Sequence, residues 1–289
     1  MHTTRRNFLA GLPLVFLGWI PAIAAHPRVA SLDWALAETL LALGHAPVAI
    51  IAASDWRRFV IEPALPAAVT DLGLQQEINL ELLARLRPDL ILTSPFVQSL
   101  DDVLPRIAET HSLSIFEPGP VPLEHPRTLM RSIAALLGLE ARAEHLLADA
   151  ERTFDACRAR LDRLSLPPLL IVTFIDPRHA RVYGGAGIFQ NVLDRLGLAN
   201  AWPGETGYWG FTTTGIERLA IDRRLHLVAI GPVPPDIDNA LSKSPLWRRL
   251  PFVVAGRTTT LPPVFMFGAM PAALRFAELL TAELEVRYA

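Results

Sequence analysis

Cysteine is almost absent from this 289-residue chain: Cys157 stands alone, so no internal disulfide can hold the fold. It lies among arginines in a segment of helical pattern and reads as a passive thiol on a packed face. Metal-ligand patterns are missing too. The eight histidines are scattered and never fall at H-x-H or H-x₃-H spacing, which excludes a dedicated metal site of the usual kind. No G-x-S-x-G elbow occurs, and no nucleophile–base pair can be assembled from the motifs, which argues against a hydrolase. Gly184-Gly185-Ala186-Gly187 fits neither G-x-G-x-x-G nor the Walker pattern and reads as a tight strand-to-helix turn. Asp176-Pro177-Arg178-His179 likewise reads as a turn, because neighbours in sequence rarely converge on one reacting atom. Charges of both signs are interspersed without a basic stripe, so a nucleic-acid partner is excluded. The longest apolar run, Phe8 to Ile23, is broken by Pro13 and Pro21 and falls short of a bilayer span of about 20 residues.

That run has another meaning. Arg5 and Arg6 precede it and Ala22-Ile23-Ala24 follows it, the order of a cleavable secretory signal. We expect residues 1–24 to be removed, with cleavage after Ala24 or Ala25. Thr4-Arg5-Arg6-Asn7-Phe8-Leu9 is similar to the twin-arginine export signal. No cysteine follows the apolar region, so a lipoprotein is excluded, and the mature chain is expected to be soluble in the periplasm. Cleavage removes two of the 27 basic residues and none of the 29 acidic ones, leaving 25 against 29 and a net charge of −4. With 51% hydrophobic residues, a large core takes the place of covalent staples.

Short apolar runs alternate with amphipathic helical patterns through both halves, which predicts an α/β protein of two lobes with mostly parallel sheets. In the first half, strands are expected at Val29–Leu32, Val48–Ile51, Asp89–Leu92 and Leu113–Phe116. Helices are expected at Ala35–Leu43, Asn79–Leu86 and Val103–Thr110. In the second half, Leu169–Phe174, Leu227–Ile230 and Thr258–Leu261 read as strands, and Ile188–Leu196 and Ile216–Ala220 as helices. Between the halves, Pro126 to Leu164 is helical throughout, interrupted only at Gly138-Leu139. Leu146, Leu147, Ala150, Phe154, Cys157 and Leu161 recur at three- and four-residue steps and so share one face. The expected organisation is residues 26–122 as the first α/β lobe, 123–166 as a connecting helical segment and 167–289 as the second lobe. One long connecting helix is a stiff spine, so hinge motion is expected to be limited, with the ligand cleft between the lobes.

Six segments in order carry a resemblance: Leu40–Gly44, Asp71–Leu74 with Asn79–Leu83, Ile175–His179, Ala201–Thr206, Trp209-Gly210, and Ser244–Trp247. In these the chain resembles the helix-linked periplasmic binding proteins of ABC importers, and within them the ferric-hydroxamate siderophore binders. The resemblance implies two lobes, a rigid connecting helix and a shallow aromatic cleft. It implies capture of a ferric siderophore for an inner-membrane permease and its ATPase, as a monomer, without catalysis and without a cofactor beyond the iron inside the ligand.

The same resemblance points to Trp209 as the pocket tryptophan. Gln75 stands where hydroxamate binders carry an arginine, and Phe96 and Val97 cover the place of a tyrosine. Phe59, Phe265 and Phe267 replace two tryptophans and a tyrosine. Tyr183 and Tyr208 are candidate hydroxyl donors. Glu81 and Glu217, one per lobe and each opening a helix, match positions that dock on permease arginines, a two-point electrostatic contact. The altered pocket implies a ferric siderophore of less polar exterior, which need not be a trihydroxamate. Alternatives are haem, with Tyr208 as the candidate ligand, a corrinoid, an exported siderophore-processing enzyme, and an exported sensor.

Overall fold

The computed structural model describes residues 27–114 and 123–289; the expected export signal lies outside them. The chain runs through β1 (Val29–Ser31), α1 (Trp34–Ala42), β2 (Ala49–Ile50), α2 (Trp56–Phe59), β3 (Thr70–Asp71), α3 (Leu80–Leu86), β4 (Leu90–Thr93) and β5 (Glu109–Ser112). Then follow α4 (Glu124–Leu137), α5 (Glu140–Leu161), β6 (Leu169–Phe174), β7 (His179–Tyr183), α6 (Ile188–Leu196), β8 (Phe211–Gly215) and β9 (His226–Ile230). The chain closes with α7 (Pro235–Lys243), α8 (Pro251–Val254), β10 (Thr258–Leu261) and α9 (Met270–Tyr288).

The first sheet has the order β3-β2-β1-β4-β5 and is parallel throughout. Its central strands are buried along their whole length, as the unbroken apolar runs required. Two expectations in this lobe fail. Val103–Thr110 is not a helix: only Leu104–Arg106 forms a 3₁₀ turn, containing Pro105. The last strand ends at Ser112, earlier than Leu113–Phe116, and Ile115-Phe116 lie outside the described residues. Glu109-Thr110-His111-Ser112 sits at the sheet edge, where a strand need not be apolar.

The second sheet, β10-β9-β6-β7-β8, is mixed rather than mostly parallel. The Asp176 carboxylate accepts the backbone N–H groups of Arg178 and His179, making a turn too short for a crossover. β6 and β7 therefore pair antiparallel, and β8 pairs antiparallel with β7.

Between the sheets, α4 ends at Gly138, held at φ 65°, a left-handed stop that glycine adopts without strain. At 1.5 Å per residue the 22 residues of α5 span about 33 Å. Ala143, Leu147, Ala150, Phe154, Cys157 and Leu161 are its buried stripe. They belong to one core that also takes Leu36 and Leu40 of α1 and Phe276 and Leu280 of α9. Helix α9, absent from the sequence expectations, packs on α5 and α6 and also touches α1 and α4, so the end of the chain reaches back to the first lobe. Buried Glu38 of α1 accepts the Ala269 N–H just before α9 begins. Burial pushes its carboxyl up to about 8, so it keeps its proton at neutral pH. Arginine–carboxylate pairs clamp the spine: Arg127 to Glu151, Arg131 to Glu144 at 2.7 Å, Arg195 to Asp155 at 2.6 Å, and Arg160 to Glu285.

Candidate ligand-binding cleft

In the first sheet the strand order reverses between β1 and β4, and ligands of open α/β sheets sit beyond the carboxyl ends of strands at such a reversal. The turns that leave those two strands meet there. Asp33 caps α1 by accepting the N–H groups of Ala35 and Leu36 (2.7 and 3.3 Å), and the Ser94 hydroxyl donates to its other oxygen at 2.7 Å. Burial raises the Asp33 pKa, opposed by these hydrogen bonds. Above this floor is a cavity of about 330 Å³, lined by Trp34, Gln75, Phe96, Phe265 and Phe267 among others. A second cavity, about 410 Å³, opens at the carboxyl ends of β6 and β9, between Phe59, Ile175, Arg181 and Tyr183. Trp34, Phe265 and Phe267 line both, so the two cavities form one cleft divided by an aromatic ridge.

The ridge is continuous across the lobes. Phe96, after β4, stacks on Trp209 of the second lobe with centroids 4.7 Å apart and planes at 17°. Phe267 meets both edge-on, at 5.8 and 6.0 Å, and Phe265 packs on Trp34 at 5.2 Å. Trp209 owes its place to glycine. The turn between β7 and α6 approaches the Trp209 loop so closely that a Cβ on Gly210 would lie 2.2 Å from the Cα of Gly187. Gly210 also has φ 73°, and its carbonyl accepts the Gly184 N–H at 3.0 Å.

The expected residues divide into three groups. Phe59, Gln75, Phe96, Phe265 and Phe267 line the cleft, and Trp209 joins them by stacking. Tyr208 is exposed against the edge of Trp209, with centroids 4.7 Å apart. The Gln75 amide donates to the Phe96 carbonyl at 3.3 Å, tying the two walls of the first cavity. Val97 departs from the expectation: it is buried in the core of the first lobe and lines only an adjoining surface depression beside Gln75. Tyr183 reaches the second cavity, but it is buried, and its hydroxyl bonds Thr173 at 2.9 Å and the sulfur of Met266 at 3.1 Å. Burial raises its pKa, so the hydroxyl stays neutral. Glu81 and Glu217 are both exposed; Glu81 lies 4.0 Å from Arg85 at the start of α3, and Glu217 folds back over Gly215.

Sequence reasoning missed Trp34, Asp33, Arg181 and Met266. Trp34 touches Trp56, Phe59 and Phe265, and its indole N–H donates to Ile51 at 2.8 Å. Its only signal was its position one residue after an N-cap at the end of a buried strand, which acquires meaning once strand order is known.

Two α/β lobes on a helical spine, with an aromatic cleft at the carboxyl ends of both sheets, define a substrate-binding protein of the helix-linked class. The chain belongs to the periplasmic binding protein family, whose model matches residues 29–264. It is 36% identical over 282 residues to the iron(3+)-hydroxamate-binding protein FhuD of Escherichia coli K12, covering 96% of this chain and 95% of that one. Among solved structures it resembles the Fe3+-Desferal-bound siderophore-binding protein FhuD of Vibrio cholerae, with TM-score 0.86, 30% identity, and 92% and 100% of the two chains covered. The triscatecholate siderophore-binding protein FeuA of Bacillus subtilis shares the fold at TM-score 0.70, with 18% identity over 89% of this chain and 92% of that one.

Proposed function

We propose that this protein captures a ferric siderophore of hydroxamate type in the periplasm and hands it to an ABC permease driven by its ATPase. The observation that carries this reading is where the apolar surface lies. Of the eight large hydrophobic side chains exposed among the described residues, five border the cleft: Phe59, Leu74, Phe96, Ile175 and Tyr208. Exposed aromatic area at a concave interface between lobes suits a bulky chelate with an apolar shell. Iron arrives already coordinated, so the protein need supply no ligand to it; among the described residues no three His, Cys, Asp or Glu side chains converge. The same site would also hold the apolar face of haem or a corrinoid, which makes those the competing cargoes.

Export by the signal in residues 1–24, of twin-arginine type, belongs to this reading, as does a monomeric mature protein. Glu81 and Glu217 face solvent from different lobes and serve as the two permease-docking points. Charge reversal at both is expected to abolish uptake and leave ligand affinity unchanged.

The deciding experiment is equilibrium dialysis of the mature protein against ferric trihydroxamates, ferric catecholates, haem and cobalamin, with mass spectrometry of what is recovered. Retention of a ferric trihydroxamate, returned chemically unchanged, is expected. Retention only of haem or cobalamin changes the cargo, and a cleaved siderophore makes the protein an enzyme.

A further inference from the structure

The second cavity holds a positive charge that meets Tyr183 and Met266 but no carboxylate among the described residues. The Arg181 guanidinium lies over the ring of Phe211, 4.9 Å from its centroid. Its Nε is buried without a hydrogen-bond partner, and Nη1 lies 3.7 Å from the sulfur of Met266, a weak acceptor. No carboxylate among the described residues forms an ion pair with it. Other arginines of comparable burial are treated differently. Arg127, Arg195 and Arg275, with side chains 16%, 20% and 13% exposed, each reach a carboxylate. Arg257, also half-buried, is satisfied by the Leu225 and Arg223 carbonyls instead. Burying an arginine with a donor unmet is costly, and Arg181 is left so.

Arg58 enters the same cavity from the first lobe, its guanidinium 5.0 Å from the Phe59 centroid and likewise without an ion pair among the described residues. Among the described residues no aspartate or glutamate lines this cavity, whereas Asp33 lies in the floor of its neighbour. Two cations from opposite lobes thus face a space walled by Trp34, Phe59, Ile175 and Phe265. The first cavity, in turn, offers the neutral Gln75.

We infer that the second cavity receives a carboxylate carried on the periphery of the ferric chelate, with Arg181 as its main partner and Arg58 as a second, solvent-facing one. This rests on the siderophore reading above and narrows it to a chelate with an anionic arm. The planar guanidinium lines the cavity with a donor geometry matched to a carboxylate, and the apolar walls hold water away from the pair. Selection for charge thereby falls to the second lobe, while the stacked rings of the ridge hold the apolar shell.

The test uses three ferric complexes with one iron shell: ferrioxamine B, its N-acetyl derivative and its N-succinyl derivative. Their free ends are an ammonium, a neutral amide and a carboxylate. For the wild-type mature protein we expect the succinyl complex to bind at least about tenfold more tightly than the acetyl complex, the scale of one charge-assisted hydrogen bond, with ferrioxamine B weakest. Arg181→Met is expected to remove that preference, so that the succinyl and acetyl complexes bind alike. Equal wild-type affinity for the acetyl and succinyl complexes overturns the anionic subsite and leaves the siderophore function standing. This comparison needs no variant, so it holds even if Arg181→Met fails to fold. An Arg181→Met protein that keeps the full preference overturns the role of Arg181. Binding of none of the three complexes overturns the siderophore reading itself.

Discussion

The spine and the cleft use the same kinds of residue in opposite ways. Along α4, α5, α6 and α9, aromatic and aliphatic side chains are buried and the arginines between helices meet carboxylates. In the cleft, Phe59, Phe96 and Tyr208 are exposed, and Arg181 has no carboxylate partner among the described residues. The first pattern is what a stable fold needs. The second is an incomplete version of it, left for a ligand to complete. Departures from consistent burial and pairing concentrate where function is carried.

The comparison can be broken at either end. The largest effect is expected in the spine, where Phe154 of α5 is fully buried beneath Arg195, whose guanidinium lies 5.7 Å from the ring centroid. Phe154→Ala should lower stability by about 3–5 kcal/mol, measured by denaturant unfolding. The folded fraction should bind ligand with unchanged affinity; an affinity loss greater than the stability loss explains would mean that spine and cleft are not separable.

A second effect of nearly that size is set by pH. His226 is buried at the start of β9, with Nδ1 2.8 Å from the Tyr288 hydroxyl of α9 and Nε2 3.0 Å from Thr259. Burial, aided by the charge of Arg287, pushes its pKa down from 6.5 to about 4. The folded protein therefore resists a proton that the unfolded chain accepts. Its stability contribution is intact above pH 6.5 and is lost as pH falls toward 4, by roughly 3 kcal/mol at 1.36 kcal/mol per pH unit. Unfolding curves taken across that window check it, and a His226→Gln protein should show a flatter dependence.

The smallest effect, and the most specific, is read as ligand affinity at the cleft. Gly210→Ala puts a methyl group against Gly187 at a left-handed backbone position. The Trp209 loop must shift, and siderophore affinity should fall about tenfold, while the fully buried spine is untouched. Unchanged affinity would detach Trp209 from the ligand.

The sequence foretold the spine better than the cleft, for a physical reason. Helical period and glycine stops are local, so Gly138, Gly197 and the stripe of α5 could be read directly. The central parallel strands were legible because burial on both faces makes them continuously apolar. Edge strands, such as Glu109–Ser112 and Phe211–Gly215, carry no such mark. Phe59, Phe96, Phe265 and Phe267 were found because the family resemblance lent them positions. Trp34 and Arg181 became visible only when the end of β1 and the middle of β7 were set beside a loop more than 80 residues away, at Phe265 and Met266. Val97 shows the converse: adjacent in sequence to Phe96, it faces the core, because successive residues of that turn point in different directions.

We propose that the stacked rings of Phe96 and Trp209 are the wall against which the ferric siderophore rests. Intrinsic fluorescence titration of the wild-type protein and of Trp209→Phe with a ferric trihydroxamate tests it most directly. We predict saturable quenching in the wild type and loss of most of its amplitude in the variant, with binding still detectable by dialysis. Equal quenching amplitude in both proteins would contradict this, because the bound iron would then lie nearer another tryptophan.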